Sequence, residues 1–382
     1  MNRWSSQHYI RIGNDQGVAP AILKTAAETA KHLHKCNPNL PPVFTLRHLA
    51  HYTGVPYGFL RMVVARNKQV EPYRVFKLKK QVRSFGRERF RFVCAPHPYL
   101  LKAQRWINRE ILAKIPGHEA SYAYSPGSSV YDAASMHAGC RWLIKLDATN
   151  FFESILEPKI YEIFRTIGYQ PLVAFELARV CTRTRPSGNP VYSNRADPNK
   201  KGLPYNTVQI GHLPQGAATS PHLSNLAARD LDESLKNFAL LNQLIYTRYA
   251  DDLTFSSTEE FVREDVVKKI HEIYGFMRAN GLWPNKSKTQ IVPPGARKIV
   301  LGLLVDGAQP RLTKEFKQEI RTHLHFLQRS DIGVRKHLKA RGFDSFWGLR
   351  NFLIGKLSYA KSVEPEWESK MNRLFVKINW DT

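Results

Sequence analysis

The chain has 382 residues, with 57 Lys or Arg against 32 Asp or Glu, a formal net charge of +25 and an isoelectric point near 9.9. That balance predicts a polyanionic partner, either nucleic acid or an anionic membrane surface. A hydrophobic content of 43% belongs to a globular protein of two or three subdomains, and no apolar run approaches the ~20 residues of a membrane-spanning helix.

Residues 1–8 carry no signal-peptide core. Cys36, Cys94, Cys140 and Cys181 lie far apart with no Cys-x-x-Cys, so neither a disulfide framework nor a zinc knuckle is expected, and a cytoplasmic location is. Residues 1–60 read as helices. The stretch 21–35 is Ala-rich and ends at Asn37-Pro38. Segments 45–51 and 57–65 make a helix pair around Gly54-Val55-Pro56, read as a packing module, with a DNA-reading helix-turn-helix as the alternative.

Residues 61–114 hold fifteen Lys/Arg against Glu71, Glu88 and Glu110, with Phe and Tyr interleaved. So one-sided a balance predicts phosphate contact, the aromatics serving partly as core and partly as stacking platforms. Arg87 to Val93 alternates charge and hydrophobe as a half-buried strand does, and a helix is expected over 100–112. An apolar strand then runs from Arg141 into Asp147. An acid at a strand end suits a metal ligand, and a helix N-cap by Asp147 or Thr149 is the competing reading.

Residues 182–210 have no periodicity and are rich in Arg, Pro, Asn and Gly, a long basic loop. Its charge has the sign of a phosphate-binding tract. Pro214-Gln215-Gly216 follows, and a glycine turn ahead of a helix lets backbone approach a ligand closely.

Next comes Tyr249-Ala250-Asp251-Asp252, flanked on both sides by β-branched and apolar residues. Two strands with the acids between them predict a hairpin holding two carboxylates at its tip, directed to different faces. Such a pair suits Mg²⁺, which takes oxygen ligands and leaves room for phosphates; a surface Asp-Asp turn is the alternative. A helix over 261–279, a β-run over 299–305 ending at the turn pair Asp306-Gly307, and a helical C-terminal region from Thr313 complete the chain.

In this order the motifs resemble the reverse transcriptases, and among them the bacterial retron type, over roughly residues 45–330. Pro96, Leu101, Lys102, Gln104 and Arg105 match the first fingers block. Residues 128–152 resemble the block of the first catalytic aspartate, Pro214-Gln215-Gly216 the block beside the nascent base pair, and 285–289 the lysine-bearing loop. The retron Asn-Ala-x-x-His element stands here as Ala133-Ala134-Ser135-Met136-His137, and Val-Thr-Gly as Val300-Leu301-Gly302.

The resemblance implies an α+β right-hand polymerase fold: an N-terminal helical extension (1–60), fingers (61–146), a palm whose antiparallel sheet is backed by helices (147–307, with the basic insertion 182–210) and a short thumb (308–382). It implies two Mg²⁺ ions on Asp147, the Ala148 carbonyl, Asp251 and Asp252, with Lys288 serving the pyrophosphate. Arg91 is expected on the triphosphate, Phe152 at the sugar, and Gln215 and Gly216 at the template. Arg87, Arg89, Lys102, Arg105 and His137 are candidate RNA contacts. The implied partners are a structured noncoding RNA, its branched DNA product primed from a guanosine 2′-OH, and a separate effector protein in anti-phage defence. A defence or group II-like reverse transcriptase without branched DNA, and an inactive RNA-binding scaffold, are the rival readings.

Overall fold

The computed structural model describes residues 4–67, 69–79, 90–184, 210–329 and 332–380. These residues mix helix and sheet and fall into two compact units: Met1–Ser125, Ala148–Leu235 and Ile270–Asn285 in the first, Pro126–Asp147, Lys236–Lys269 and Lys286–Thr382 in the second.

The first unit opens with helices Ser6–Asp15, Pro20–Cys36, Leu46–Thr53 and Tyr57–Val64. Thr45 starts the third by accepting the His48 amide with its hydroxyl, and Gly54 stops it in the left-handed conformation at φ 58°. Leu46, Leu49, Leu60 and Val63 are buried, so the helix pair spends its apolar residues on packing. Strands β1 (Tyr73–Lys79) and β2 (Phe90–Pro96) form an antiparallel ribbon, with Tyr73 opposite Pro96 and Lys79 opposite Phe90. Helix Pro98–Glu110 follows. Its buried Gln104 amide donates to the Tyr73 hydroxyl at 2.8 Å and to the Val180 carbonyl at 2.9 Å. One side chain thereby ties the base of the ribbon to helix Pro171–Cys181.

A buried ion cluster holds the middle of this unit. Glu157, the first residue of helix Glu157–Thr166, is fully buried. Its carboxylate accepts from Arg66 at 2.5 Å, Arg179 at 2.9 Å, the Thr182 hydroxyl at 3.1 Å and the Gly211 amide at 3.2 Å. Buried charge is tolerated only when paired and hydrogen-bonded, and here it is both. The basic stretch 182–210 springs from this cluster. Residues 185–209 lie outside the described residues, but the flanks meet: Arg183 and His212 exchange both backbone hydrogen bonds, at 3.0 and 2.9 Å.

The second unit carries a four-stranded sheet of β3 (Trp142–Asp147), β4 (Ile245–Tyr249), β5 (Asp252–Ser257) and β6 (Gln290–Val292), in the order β4-β5-β3-β6 with all neighbours antiparallel. β3 therefore belongs with the acidic hairpin, and a boundary between 146 and 147 would cut it. The expected β-run over 299–305 is folded on itself. β7 (Ile299–Val300) turns at Leu301-Gly302 (φ 49° and 87°) into β8 (Leu303–Leu304), which pairs with β9 (Arg311–Leu312). Two consecutive positive φ values mark a tight hairpin turn, which a purely apolar run conceals. Helices Lys314–Gln328, Gly333–Arg341, Phe346–Val363 and Pro365–Val376 follow. On the first of them Ile320, Leu324 and Leu327 are buried, in one cluster with Leu349, Leu353 and Phe375.

Glu157→Gln keeps the shape of the cluster while leaving Arg66 and Arg179 without their counter-charge. A loss of about 3–5 kcal/mol is expected on breaking a buried pair, read by urea denaturation of the purified protein.

Candidate active site

Strand pairing builds the site. In β3–β5, Asp147 lies directly opposite Asp252, so the two side chains share one face of the sheet. Tyr249 pairs with Asp252 across β4–β5, leaving Ala250 and Asp251 as the two-residue turn. The predicted hairpin is thus present, with one of its acids on a strand and the other in the turn. It is Asp252 that stands in register with Asp147, while Asp251 occupies the tip. Ala250 adopts φ 56°, a region usually left to glycine or asparagine. The guanidinium of the fully buried Arg248 donates to its carbonyl at 3.1 Å and braces the turn. Strand alternation gave the face of Arg248 but not its burial, so the sequence offered no sign of this role.

Lys288 stands at the end of a 3-10 turn, Lys286–Lys288, that feeds β6 beside β3. Its ammonium donates to Oδ1 of the buried Asp147. Asp252 is open to solvent yet flanked by protein. Partial burial, then the charges of Asp251 and Asp147, push its carboxyl up to about 6, against the pull of Lys145 and Lys288. Asp252 thus stands in the field of two further carboxylates, and a hard divalent cation is a chemical fit to oxygen donors of this kind. Among the described residues no group of three or more His, Cys, Asp or Glu is placed to hold a metal ion. None is required where one or two carboxylates and substrate phosphates share a Mg²⁺ ion.

The remaining predicted residues, except His137, lie in the first unit or outside the described residues. Ala148 is buried and bridges to Pro284, and the Thr149 amide donates to the Trp283 carbonyl at 2.7 Å. Phe151 is buried and Phe152 half-exposed, their rings edge to face with centroids 5.6 Å apart. Gln215 is half-buried, and its carbonyl accepts the Cys94 amide at 2.7 Å. Gly216 has φ 113°, and a Cβ there would sit 2.8 Å from the Cys94 carbonyl oxygen. The close approach expected at this glycine is therefore, at least in part, to strand β2. Arg91 is exposed on β2, and Arg105 is exposed on helix Pro98–Glu110. Lys102 is exposed too, but its ammonium donates to the Gly54 carbonyl at 3.1 Å and caps a turn. Arg87 and Arg89 lie outside the described residues.

His137 is a correction. It is fully buried, and its ring nitrogens bond the hydroxyls of Ser256 and Thr247, so it has no surface to offer RNA. Burial also holds its imidazole down at about 3, keeping it neutral.

Gly216→Ala adds a methyl group against the β2 backbone and forces a side chain into a conformation that costs about 1–3 kcal/mol. A drop in thermal midpoint and a loss of that order in urea denaturation are expected.

The sequence profile described as "Reverse transcriptase (RNA-dependent DNA polymerase)" matches residues 78–320. The retron Ec86 reverse transcriptase of Escherichia coli is 28% identical over 311 residues, covering 81% of this chain and 86% of that one. The retron Mx65 reverse transcriptase of Myxococcus xanthus is 30% identical over 338 residues, covering 87% and 72%. Among solved structures, a foamy viral protease-reverse transcriptase in complex with double-stranded DNA aligns at a TM-score of 0.40 and 14% identity, over 80% of this chain and 39% of that one, too remote to add weight. An acid pair facing across β3–β5, a turn carrying a third acid, and matches of this extent make the chain a member of the reverse transcriptases, the RNA-directed DNA polymerases of right-hand polymerase fold, and among them of the bacterial retron type.

Proposed function

We propose that this retron reverse transcriptase copies a structured noncoding RNA into branched single-stranded DNA with two Mg²⁺ ions, primed from a guanosine 2′-OH. We further propose that it acts with a separate effector protein in anti-phage defence. The observation that carries the chemistry is the facing of Asp147 and Asp252 with Asp251 at the adjoining turn.

Asp147, the Ala148 carbonyl, Asp251 and Asp252 would hold the ions. Bound Mg²⁺ supplies charge that activates the primer hydroxyl and steadies the departing pyrophosphate. The chain's own residues do the rest. The sheet fixes the acids before substrate arrives, so no reorganisation is needed at the moment of reaction. Lys288 gives Asp147 a counter-charge in the free protein, and its half-exposed side chain has the reach to turn to the pyrophosphate and donate a proton. Arg91 clamps the triphosphate by charge-assisted hydrogen bonds. Phe152 closes the space a ribose 2′-OH would need, and Gln215 with Gly216 borders the template base. In this reading the fingers run from 61 to the start of β3, the palm from β3 to 307 and the thumb over 308–382, with residues 1–60 as a helical extension.

Asp251→Ala is expected to reduce Mg²⁺-dependent primer extension to background while leaving fold and RNA binding intact; extension at the wild-type rate would remove Asp251 from the site. Phe152→Ala is expected to raise incorporation of ribonucleotides over deoxynucleotides by about tenfold or more, measured by single-nucleotide extension with each substrate. Sequencing the nucleic acid that co-purifies with the protein tests the retron product: an RNA–DNA conjugate cleaved by a debranching nuclease is expected. A freely primed DNA would favour a reverse transcriptase without branching.

A further inference from the structure

The imidazole of His137 lies just beyond helix Val130–Ser135, and both of its ring nitrogens are engaged. Nδ1 is 2.6 Å from the Ser256 hydroxyl on β5, and Nε2 is 2.7 Å from the Thr247 hydroxyl on β4. All three residues are buried. Thr247 pairs with Thr254 and Ser256 with Ile245, so the two hydroxyls stand diagonally across the hairpin. Side chains alternate along a strand. Thr247 and Tyr249 therefore share a face, and Ser256, Thr254 and Asp252 share it too. Asp147, opposite Asp252, lies on that same face.

We infer that His137 is a positioning residue: a neutral strut across β4 and β5 that fixes the spacing and twist of the hairpin whose far end carries Asp251 and Asp252. The inference rests on those acids being the reacting site. A neutral imidazole has one donor and one acceptor, and each hydroxyl can serve as either. Both ring nitrogens are thus satisfied, whichever of them carries the proton. A ring is stiffer than any amide side chain of similar reach, so the distance it sets is well defined. The backbone holds the ring from behind: the His137 amide donates to the Ala134 carbonyl at 3.0 Å, and the Gly139 amide to the Val305 carbonyl at 2.9 Å. A small displacement of reacting groups costs on the order of 10²-fold in rate.

A fold role and a positioning role separate in one series of full-length variants, each purified with its RNA. His137→Phe keeps the ring but strands two buried hydroxyls, so stability and rate are both expected to fall. The triple variant His137→Phe/Thr247→Val/Ser256→Ala removes the hydroxyls as well, and matched apolar replacement restores most of the stability. Its single-turnover rate of nucleotide addition is expected to remain about 10- to 100-fold low, with nucleotide and template affinities near wild type. A stable triple variant with the wild-type rate would overturn the inference. If the triple variant does not fold, Ser256→Ala decides: a lowered rate at unchanged affinity supports the strut, and a full rate removes it. A wild-type rate in Asp251→Ala would instead overturn the site assignment beneath it.

Discussion

The antiparallel pairing of β3 with β5 is the constraint on which the chemistry depends. Asp147 and Asp252 are more than a hundred positions apart, and only the register of that pairing places them face to face. A slip of one residue would send every side chain of β3 to the other face of the sheet. Several features guard against it. Leu143, Ile144 and Leu146 are buried, β6 pairs with β3 on its other edge, and Leu143 with Cys140 joins a cluster with Val300, Leu303 and Ala360. The acids are repulsive neighbours, so this packing must hold them together against their own charge.

The first unit solves a different problem, holding loops rather than acids. Glu157 draws the end of one helix, the start of another, and both flanks of the 182–210 stretch onto one carboxylate. Gly216 lets the Pro214-Gln215-Gly216 turn lie against β2 at a distance no side chain would permit. In both places polar or backbone atoms take the role that apolar packing plays elsewhere, which suits a region rich in arginine.

What was legible in the sequence was whatever is local. The hairpin around Asp251-Asp252 could be read because its strands adjoin in the chain, and the strand into Asp147 because it is a short, mostly apolar run that ends at an acid. The partners of His137 could not, since Thr247 and Ser256 lie 110 and 119 positions away. The family resemblance alone, carried by Ala133 to His137, points to a nucleic-acid contact there. The turn at Leu301-Gly302 was hidden because leucine is a poor marker of positive φ. Glu157 carries no mark of its cluster, because an acid at a helix start has an ordinary explanation in the helix dipole. The partners of His137 and of Glu157 are long-range facts that no window of sequence contains, while the turn at Leu301-Gly302 is local but written in residues that do not mark it.

The bridge between Arg183 and His212 has a consequence for how this lineage can change. Two backbone hydrogen bonds close the neck of the intervening segment, and the Glu157 cluster secures it from beneath. Chain added or removed beyond a closed neck alters stability only through loop entropy, about 0.6 kcal/mol for each doubling of length. An insertion beyond such a neck leaves the two backbone hydrogen bonds and the carboxylate beneath them as they are.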